Sequence, residues 1–246
     1  MSSTVNNSNR TVEVCFSPAL IQLHDVTSSI VVVIDVLRAT SSMCVAFANG
    51  VRSVVPVATV EESEAYRAKG FLVGAERNGE MIDGFDLGNS PFSYMDPRVK
   101  GKDIALSTTN GTQAITAAKD AYMLVAGSFL NLDVLCDWLL TQDKNVLLLC
   151  SGWKNSFNLE DTLFAGAVAE KLLPHFELNR MRDAVLASVH LYGLAKNDLN
   201  TFLEQSSHRK RLEKLHISKD IEYCLTLNQA PVIPVLVDGV LVKLTA

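Results

Sequence analysis

A carboxylate, a guanidinium and two hydroxyls come together at the end of one apolar segment. Residues 31–37 are apolar except for Asp35, and Arg38, Thr40 and Ser41 follow directly. An apolar run of this kind suits a strand covered on both faces, and an acid at its end favours the rim where loops carry the chemistry of α/β sheets. Arg38 offers a planar fork for phosphate or sulfonate. The alternative is that Asp35 only caps a turn or a helix.

A second turn of hydroxyl and amide side chains follows a later apolar segment. It consists of Thr108, Thr109, Asn110, Gly111 and Thr112. Both turns lead into predicted helix N-termini, which hold anions through free backbone N–H groups and the helix dipole. Gly111 would let the backbone approach an oxyanion closely. With Thr40 and Ser41, this turn forms the predicted substrate-binding set, although the same residue types also cap ordinary helices.

Four acids lie in turns or at strand ends rather than along amphipathic helix faces. They are Asp35, Glu76, Asp86 and Asp161. Carboxylates beside an anion site favour a bridging divalent cation, and Mg²⁺ takes oxygen ligands and binds substrate phosphate. The sequence therefore predicts these four acids as magnesium ligands. The alternatives are a turn role for Asp86 and a first-turn acid that complements the helix dipole for Asp161.

The composition excludes several functional classes. The chain has 246 residues and a formal net charge of −5 at pH 7, so it carries no electrostatic footprint for nucleic acid or anionic membranes. The basic run at 208–211 is predicted to be a solvated helix face. Five cysteines and five histidines show no zinc-type spacing, and no Walker loop or GxGxxG is present. The polar first segment and the absence of a membrane-length apolar run predict a cytoplasmic protein.

Alternating strand and helix patterns must position these side chains. Strands are predicted at 31–34, 51–57, 71–75, 104–107, 122–126 and 145–150, with helices between them. This alternation predicts an α/β fold with a mostly parallel sheet and helices on both faces. Asp238 and Gly239 predict a two-residue hairpin turn near the end. Residues 1–10 are predicted to be disordered and 11–246 to form a single domain, with two subdomains and a seam near 120–145 as the alternative.

Five sequence blocks occur in a fixed order between about residues 12 and 235. They are IDVLRATS at 34–41, GAERNG at 74–79, GFDLGNSP at 84–91, STTNGT at 107–112 and LEDT at 159–162. Together they resemble the 2-phosphosulfolactate phosphatase family. The resemblance implies a three-layer α/β/α fold with the site between two lobes. It also implies magnesium-dependent hydrolysis of 2-phospho-3-sulfolactate to sulfolactate, a step toward coenzyme M. The chain departs from the family pattern at His216, where members tend to have glycine, and at 226–231, which lack an expected acid.

The resulting catalytic hypothesis assigns roles to Asp35, Arg38 and Glu76. Asp35 and Glu76 hold Mg²⁺, with Asp86 or Asp161 nearby, while Arg38 and the turn at 108–112 orient the phosphoryl dianion. Whether water attacks directly or Asp35 is transiently phosphorylated stays open. The alternatives are a phosphatase for another small phosphorylated hydroxy acid and a non-catalytic binding module for anionic metabolites. A homo-oligomer is compatible with each.

Overall fold

The computed structural model describes residues 10–77, 80–176 and 182–245. Residues 1–9 of the predicted disordered segment, residues 78–79 of the second sequence block and residue 246 lie outside this range. Arg10, the last residue of that predicted segment, is buried, and its guanidinium donates to the carbonyls of Leu139 and Gln142.

Ten strands form a sheet in the described part of the chain. They are Val12–Cys15 (β1), Ser29–Ile34 (β2), Ser53–Val57 (β3), Leu72–Arg77 (β4), Glu80–Met81 (β5), Asp103–Ser107 (β6), Met123–Gly127 (β7), Asn145–Cys150 (β8), Pro234–Val237 (β9) and Val240–Lys243 (β10). Their spatial order is β1-β8-β2-β7-β9-β10-β3-β6-β4-β5. Five of the nine neighbouring pairs are parallel, which confirms the mostly parallel sheet.

The helices of the described residues lie on both faces of this sheet. The α-helices are Ala39–Ala48 (α1), Val60–Arg67 (α2), Asn110–Ala117 (α3), Leu132–Thr141 (α4), Leu159–Leu172 (α5), Asp183–Ala195 (α6), Leu199–Leu203 (α7), Ser207–Glu213 (α8) and Ser218–Cys224 (α9). Short 3₁₀ helices span Pro18–Leu23, Pro91–Met95, Pro97–Val99, Phe129–Asn131 and Leu173–His175. None of the helices in the described ranges is long and apolar enough to cross a membrane.

Strand β2 is the centre of the three layers because both of its faces are buried. Ile30, Val32 and Ile34 belong to a core shared with α4, α5 and α6. Val31 and Val33 point to the opposite core, which includes side chains of α1 and α3. Alternation of this kind is the geometry of a strand, since successive side chains project to opposite faces. The three-layer α/β/α arrangement is therefore confirmed.

The predicted hairpin is present, and it joins two parallel blocks of strands. Asp238 and Gly239 have φ values of 50° and 79°, as a two-residue hairpin turn requires. The hairpin, formed by β9 and β10, pairs with β7 through Val235 and with β3 through Leu241. Three antiparallel pairings in succession make the block β3-β6-β4 run opposite to the block β1-β8-β2-β7. The hairpin was predicted, but its insertion between two opposed blocks was not.

Close packing of α5 on α6 depends on Gly166. A Cβ atom at this position would lie 2.1 Å from the carbonyl oxygen of Ser188 on α6. We expect Gly166→Ala to lower the free energy of unfolding by about 1–3 kcal/mol, because the two helices would have to separate. Urea unfolding followed by circular dichroism measures this change.

Gly193 on α6 is the matched control, because a Cβ atom there would meet nothing within 4 Å. Gly193→Ala should raise the free energy of unfolding by roughly 0.5–1 kcal/mol through helix propensity alone. Equal effects of the two substitutions would contradict the packing role of Gly166.

Candidate active site

A cavity of about 120 Å³ receives side chains from both blocks of the sheet and from α8. Its lining residues are Asp35, Leu37, Arg38, Glu76, Asn89, Thr108, Asn110, Trp153, His208, Arg211 and Leu212. Asp35 follows β2, Glu76 ends β4, Thr108 follows β6 and Trp153 follows β8. The carboxyl ends of strands from two opposed blocks therefore converge on one cavity.

Asp35 both caps α1 and lines the cavity. Its Oδ1 atom accepts the backbone N–H of Ala39 at 3.2 Å, so the capping alternative describes part of its role. Burial raises the pKa of Asp35 to about 6, even though the Ala39 N–H and the charge of His208 lower it, and the nearby carboxylates Glu76 and Glu160 raise it further. Two like charges therefore act on one buried carboxylate.

The hydroxyls of Thr40 and Ser41 shape the end of β2. Thr40 Oγ1 accepts the backbone N–H of Asp35 at 3.0 Å, and the Ser41 hydroxyl donates to the carbonyl of Val36 at 2.8 Å. Both residues are fully buried, and neither lines the cavity. The structure thus places these two predicted substrate-binding residues behind Asp35.

The turn at 108–112 holds itself together through its hydroxyls. Thr108 Oγ1 accepts the backbone N–H of Thr112 at 3.1 Å, and Thr112 Oγ1 accepts that of Thr108 at 3.3 Å. Of the predicted residues, Thr108 and Asn110 line the cavity, Thr112 is buried behind them and Thr109 is exposed. The turn therefore presents one hydroxyl and one amide to the cavity.

Gly111 allows the N-terminus of α3 to approach that of α1. A Cβ atom at Gly111 would lie 2.8 Å from Ala39 Cβ and 3.2 Å from Asp35 Oδ2. The sequence predicted that glycine would permit close approach to a bound oxyanion. In the structure the close neighbours are Ala39 and the carboxylate of Asp35, so Gly111 brings the two predicted helix N-termini into contact.

Arg38 is buried and fixed by an acid that the sequence analysis missed. Its Nη1 atom donates to Asp220 Oδ2, and the Ser90 hydroxyl donates to Asp220 Oδ1 at 3.1 Å. The peptide bond that joins Leu37 to Arg38 is cis. Asp220 lies on α9, more than 180 residues from Arg38 in the chain. The pair thus ties the C-terminal helices to the cavity.

The four predicted metal ligands separate into two groups. Asp35 and Glu76 line the cavity, whereas Asp86 and Asp161 do not. Asp86 Oδ2 accepts from the Arg67 guanidinium at 3.3 Å and from the Val73 N–H at 3.0 Å. This contact secures the loop after β5 to β4.

Asp161 holds together the two loops that follow β2 and β8. Its Oδ1 atom accepts the N–H of Val36 at 2.9 Å, and its Oδ2 atom accepts that of Gly152 at 3.1 Å. Burial raises the pKa of Asp161 well above its ordinary value, and the charges of Glu160 and Asp35 raise it further. Both carboxylate oxygens are thus engaged by the backbone of the loops that carry Asp35 and Trp153.

His208 and Glu160 form a buried pair beside Asp35. His208 Nδ1 lies within hydrogen-bond distance of Glu160 Oε1 and is 3.2 Å from the side-chain nitrogen of Asn158. Glu160 is completely buried, and its Oε2 atom has no hydrogen-bond partner among the described residues. The interpretation of 208–211 as a solvated face is wrong for His208, because α8 covers the cavity with this side chain.

Arg211 and Trp153 form another part of the wall. The guanidinium carbon of Arg211 lies 4.6 Å from the centroid of the Trp153 ring, and the His208 ring lies 5.4 Å from it. His208, Arg211 and Leu212 have i, i+3 and i+4 spacing, which places them on one face of α8. That spacing was the signal available in the sequence.

The donor atoms of the cavity are suited to a hard divalent cation. Asp35 and Glu76 supply carboxylates, while Thr108 and Asn110 offer a hydroxyl and an amide oxygen. Within residues 10–77, 80–176 and 182–245 no group of three His, Cys, Asp or Glu side chains could hold a metal. Magnesium commonly binds through one or two carboxylates and completes its shell with water and substrate oxygens, so the residues present fit Mg²⁺.

Comparison with known proteins supports the resemblance found in the sequence. Residues 15–239 match the family model described as 2-phosphosulpholactate phosphatase. A protein from Thermotoga petrophila is 41% identical over 211 residues, which cover 86% of this chain and 90% of that protein. One from Caldanaerobacter subterraneus is 38% identical over 223 residues, covering 88% and 91%, and one from Synechocystis is 39% identical over 209 residues, covering 82% and 87%. All three are named probable 2-phosphosulfolactate phosphatase. On this evidence, the chain belongs to the 2-phosphosulfolactate phosphatase family of phosphoric monoester hydrolases.

Proposed function

We propose that this protein is a magnesium-dependent phosphatase that hydrolyses 2-phospho-3-sulfolactate to sulfolactate and inorganic phosphate. The observation that carries the proposal is the meeting of two carboxylates, Asp35 and Glu76, with the Arg38 guanidinium in one small cavity. The names of its relatives supply the substrate. We place the reaction in the cytoplasm, on the way to coenzyme M. All five cysteines are buried free thiols, which suits a reducing compartment.

Asp35 and Glu76 would hold the magnesium ion. The like charge of Glu76 contributes to the raised pKa of Asp35, and a divalent cation between them would relieve that repulsion. When bound, the ion supplies positive charge that neutralises the phosphoryl oxygens and orients the phosphoryl group. Asp86 and Asp161 are left out of this proposed set, because their carboxylates bind Arg67 and backbone N–H groups.

The protein's own contribution to the reaction is mainly to position the phosphoryl group. Asp220 fixes the Arg38 guanidinium, so this cation can bind phosphoryl oxygens with little loss of side-chain freedom. Thr108 and Asn110 lie where α3 begins, and helix N-termini favour anions. In phosphoryl transfer most of the rate enhancement comes from positioning and charge stabilisation.

His208 can supply a proton to the leaving alkoxide of the substrate. Its Nδ1 atom is engaged by Glu160 and Asn158, so the other ring nitrogen is the one that can exchange a proton in the cavity. The leaving group of a hydroxy acid ester is a poor one, and its departure benefits from a general acid.

Phosphate release from 2-phospho-3-sulfolactate is the direct test of the proposed activity. We expect turnover with Mg²⁺, loss of turnover with a chelator and recovery when Mg²⁺ is added back. A panel of other small phosphorylated hydroxy acids should be hydrolysed less efficiently. A better substrate within the panel would contradict the proposed substrate, and binding without any phosphate release would favour the non-catalytic module.

Substitution Asp35→Asn should lower phosphate release by about 10³-fold or more, because it removes a charge that faces both the cation and the phosphoryl group. Asp86→Asn is the matched control and should retain most of the activity and the same Mg²⁺ requirement. Similar losses of activity in both variants would contradict the proposal that Asp35 holds the cation and Asp86 does not.

The Asp35→Asn variant should have a higher free energy of unfolding than the wild type at pH 7.5 in the presence of a chelator. The folded-state pKa of Asp35 is about 6 and its ordinary value is 3.8, so the folded protein binds the extra proton between these pH values. Its stability therefore falls as the pH rises through this window, by up to about 3 kcal/mol. Thermal unfolding at pH 4 and pH 7.5 measures the difference. If Asp35→Asn stabilises the protein as much at pH 4 as at pH 7.5, the stabilisation does not come from the raised pKa of Asp35.

Substitution His208→Asn should slow hydrolysis of 2-phospho-3-sulfolactate by about 10²-fold or more through the loss of a general acid. Hydrolysis of para-nitrophenyl phosphate should fall much less, because its leaving group needs no proton. Single-turnover phosphate release for both esters is the measurement. Equal losses for the two esters would show that His208 does not protonate the leaving group.

A further inference from the structure

We infer that Arg211 and Trp153 form a second anion subsite of the cavity. This subsite binds an acidic group of the substrate other than the phosphoryl group. The inference rests on the proposed function, because it names what else that site recognises. A carboxylate or a sulfonate on the carbon skeleton has the required chemistry. The subsite would separate substrates that carry such a group from plain alkyl phosphates.

The first argument comes from the cations that line the cavity. Arg38 is paired with Asp220, and His208 is paired with Glu160. Among the described residues no ion pair gives Arg211 an acidic partner, although its neighbour Arg209 is paired with Glu213. Arg211 therefore brings a positive charge to the cavity that the described acids do not neutralise.

The second argument is an unsatisfied donor. The Nε atom of Arg211 is buried and has no hydrogen-bond partner in the described part of the chain. A buried N–H group without an acceptor costs about 1–3 kcal/mol, so native proteins rarely leave one without purpose. An oxyanion in the cavity would supply the missing acceptor.

The third argument is the aromatic platform that orients this guanidinium. Arg211 lies over the face of Trp153, with 4.6 Å between its guanidinium carbon and the ring centroid. The N–H groups of a guanidinium lie in its plane, so a guanidinium held over an aromatic ring can still donate two parallel bonds to an oxyanion. Lys154 Nζ lies 5.6 Å from the same ring and adds positive charge nearby.

The platform itself is held in place by the backbone of its turn. Trp153 N–H donates to the carbonyl of Ser156 at 3.0 Å, and Ser156 N–H donates back at 2.9 Å. Gly152 has a φ of 64°, and a Cβ atom there would lie 2.2 Å from the carbonyl oxygen of Ser156. Since Asp161 also binds the Gly152 N–H, the turn is fixed at both ends.

Charge also favours this part of the wall for a second anion. Asp35 and Glu76 repel any anionic group that lacks a cation to accompany it. The phosphoryl group would meet these acids together with Mg²⁺ and Arg38. A carboxylate or sulfonate beside Asp35 and Glu76 would have no cation to balance its charge, whereas beside Arg211 it would.

The decisive experiment compares Arg211→Gln with Lys210→Gln. Lys210 is the next cation on α8, and it is exposed, bonds to Gln205 and does not line the cavity. Four phosphate esters separate the ligand chemistry: 2-phospho-3-sulfolactate, phospholactate with a carboxylate alone, the phosphate ester of hydroxyethanesulfonate with a sulfonate alone, and isopropyl phosphate with neither. Steady-state kcat and KM are measured for each at saturating Mg²⁺.

For Arg211→Gln we expect kcat/KM for 2-phospho-3-sulfolactate to fall at least tenfold, mainly through KM, while that for isopropyl phosphate changes less than threefold. A parallel loss with phospholactate assigns the subsite to the carboxylate, and one with the sulfonate ester assigns it to the sulfonate. Arg211→Lys should restore part of the loss, and Lys210→Gln should resemble the wild type. Equal loss for all four esters, or no loss for any, overturns the inference.

A binding measurement keeps this test independent of the proposed activity. Sulfolactate carries both acidic groups and no phosphate, so calorimetry should give an affinity that is at least tenfold weaker for Arg211→Gln than for Lys210→Gln. Inorganic phosphate should bind both variants equally. If the wild type hydrolyses no ester but this difference in sulfolactate binding is found, the proposed function fails and the subsite stands. If sulfolactate binds both variants equally, or does not bind the wild type, the subsite fails.

Discussion

The carboxylate of Asp161 joins the two loops from which the cavity is built. It accepts the N–H of Val36 from the loop after β2 and the N–H of Gly152 from the loop after β8. These bonds fix Asp35 and Trp153 relative to each other, because each lies one residue from a bonded amide. Burial of this carboxyl group carries a desolvation penalty, and the two hydrogen bonds from backbone N–H groups offset part of it.

This anchor places further acids close together, and the electrostatic consequence is a strained arrangement. Burial is the main cause of the raised pKa of both Asp161 and Asp35. The charges of Glu160 and Asp35 raise that of Asp161 further, and those of Glu76 and Glu160 raise that of Asp35. Repulsion among buried carboxylates destabilises the folded chain, whereas a bound cation would reverse that effect. Proteins keep such arrangements where function depends on them and obtain their stability from other parts of the fold. Here that stability comes from the two cores on either side of β2.

The sequence predicted the half of the cavity that is built at strand ends. An acid that closes a buried apolar run has few locations other than a rim, so Asp35, Glu76 and Thr108 were placed correctly at strand ends by pattern alone. The side-chain partners within the turn at 108–112 could not be predicted, because hydroxyls that cap a helix and hydroxyls that bind a ligand have the same local signature. For Thr40 and Ser41 the structure places the hydroxyls on the backbone.

The half of the cavity contributed by the C-terminal helices was missed for a different reason. Helix α8 has only seven residues and carries four basic side chains, a composition typical of solvated helices. Its buried face is visible only as the spacing of His208 and Leu212, which is too short a pattern to outweigh the charge. Asp220 is separated from Arg38 by about three quarters of the chain, and no local rule connects them. His216 has a φ of 59°, which lies in the region that favours glycine, so the backbone here suits the glycine of the family pattern better than histidine.

The hairpin accounts for the remaining gap between sequence and structure. Its turn is a local property, so Asp238 and Gly239 predicted it, but its position between β7 and β3 depends on contacts across the whole chain. That position reverses the block β3-β6-β4 relative to the block β1-β8-β2-β7. In a flat sheet the carboxyl ends of the strands of the two blocks would therefore lie at opposite edges. The contact between Gly111 and Ala39 marks where the two blocks meet again. Because that contact has room only for glycine, the distance between the side of the cavity that carries Asp35 and the side that carries Thr108 is set by the backbone and not by adjustable side chains. A cavity bounded in this way can hold its carboxylates and cations at fixed distances, with side chains of helix α8 forming its outer wall.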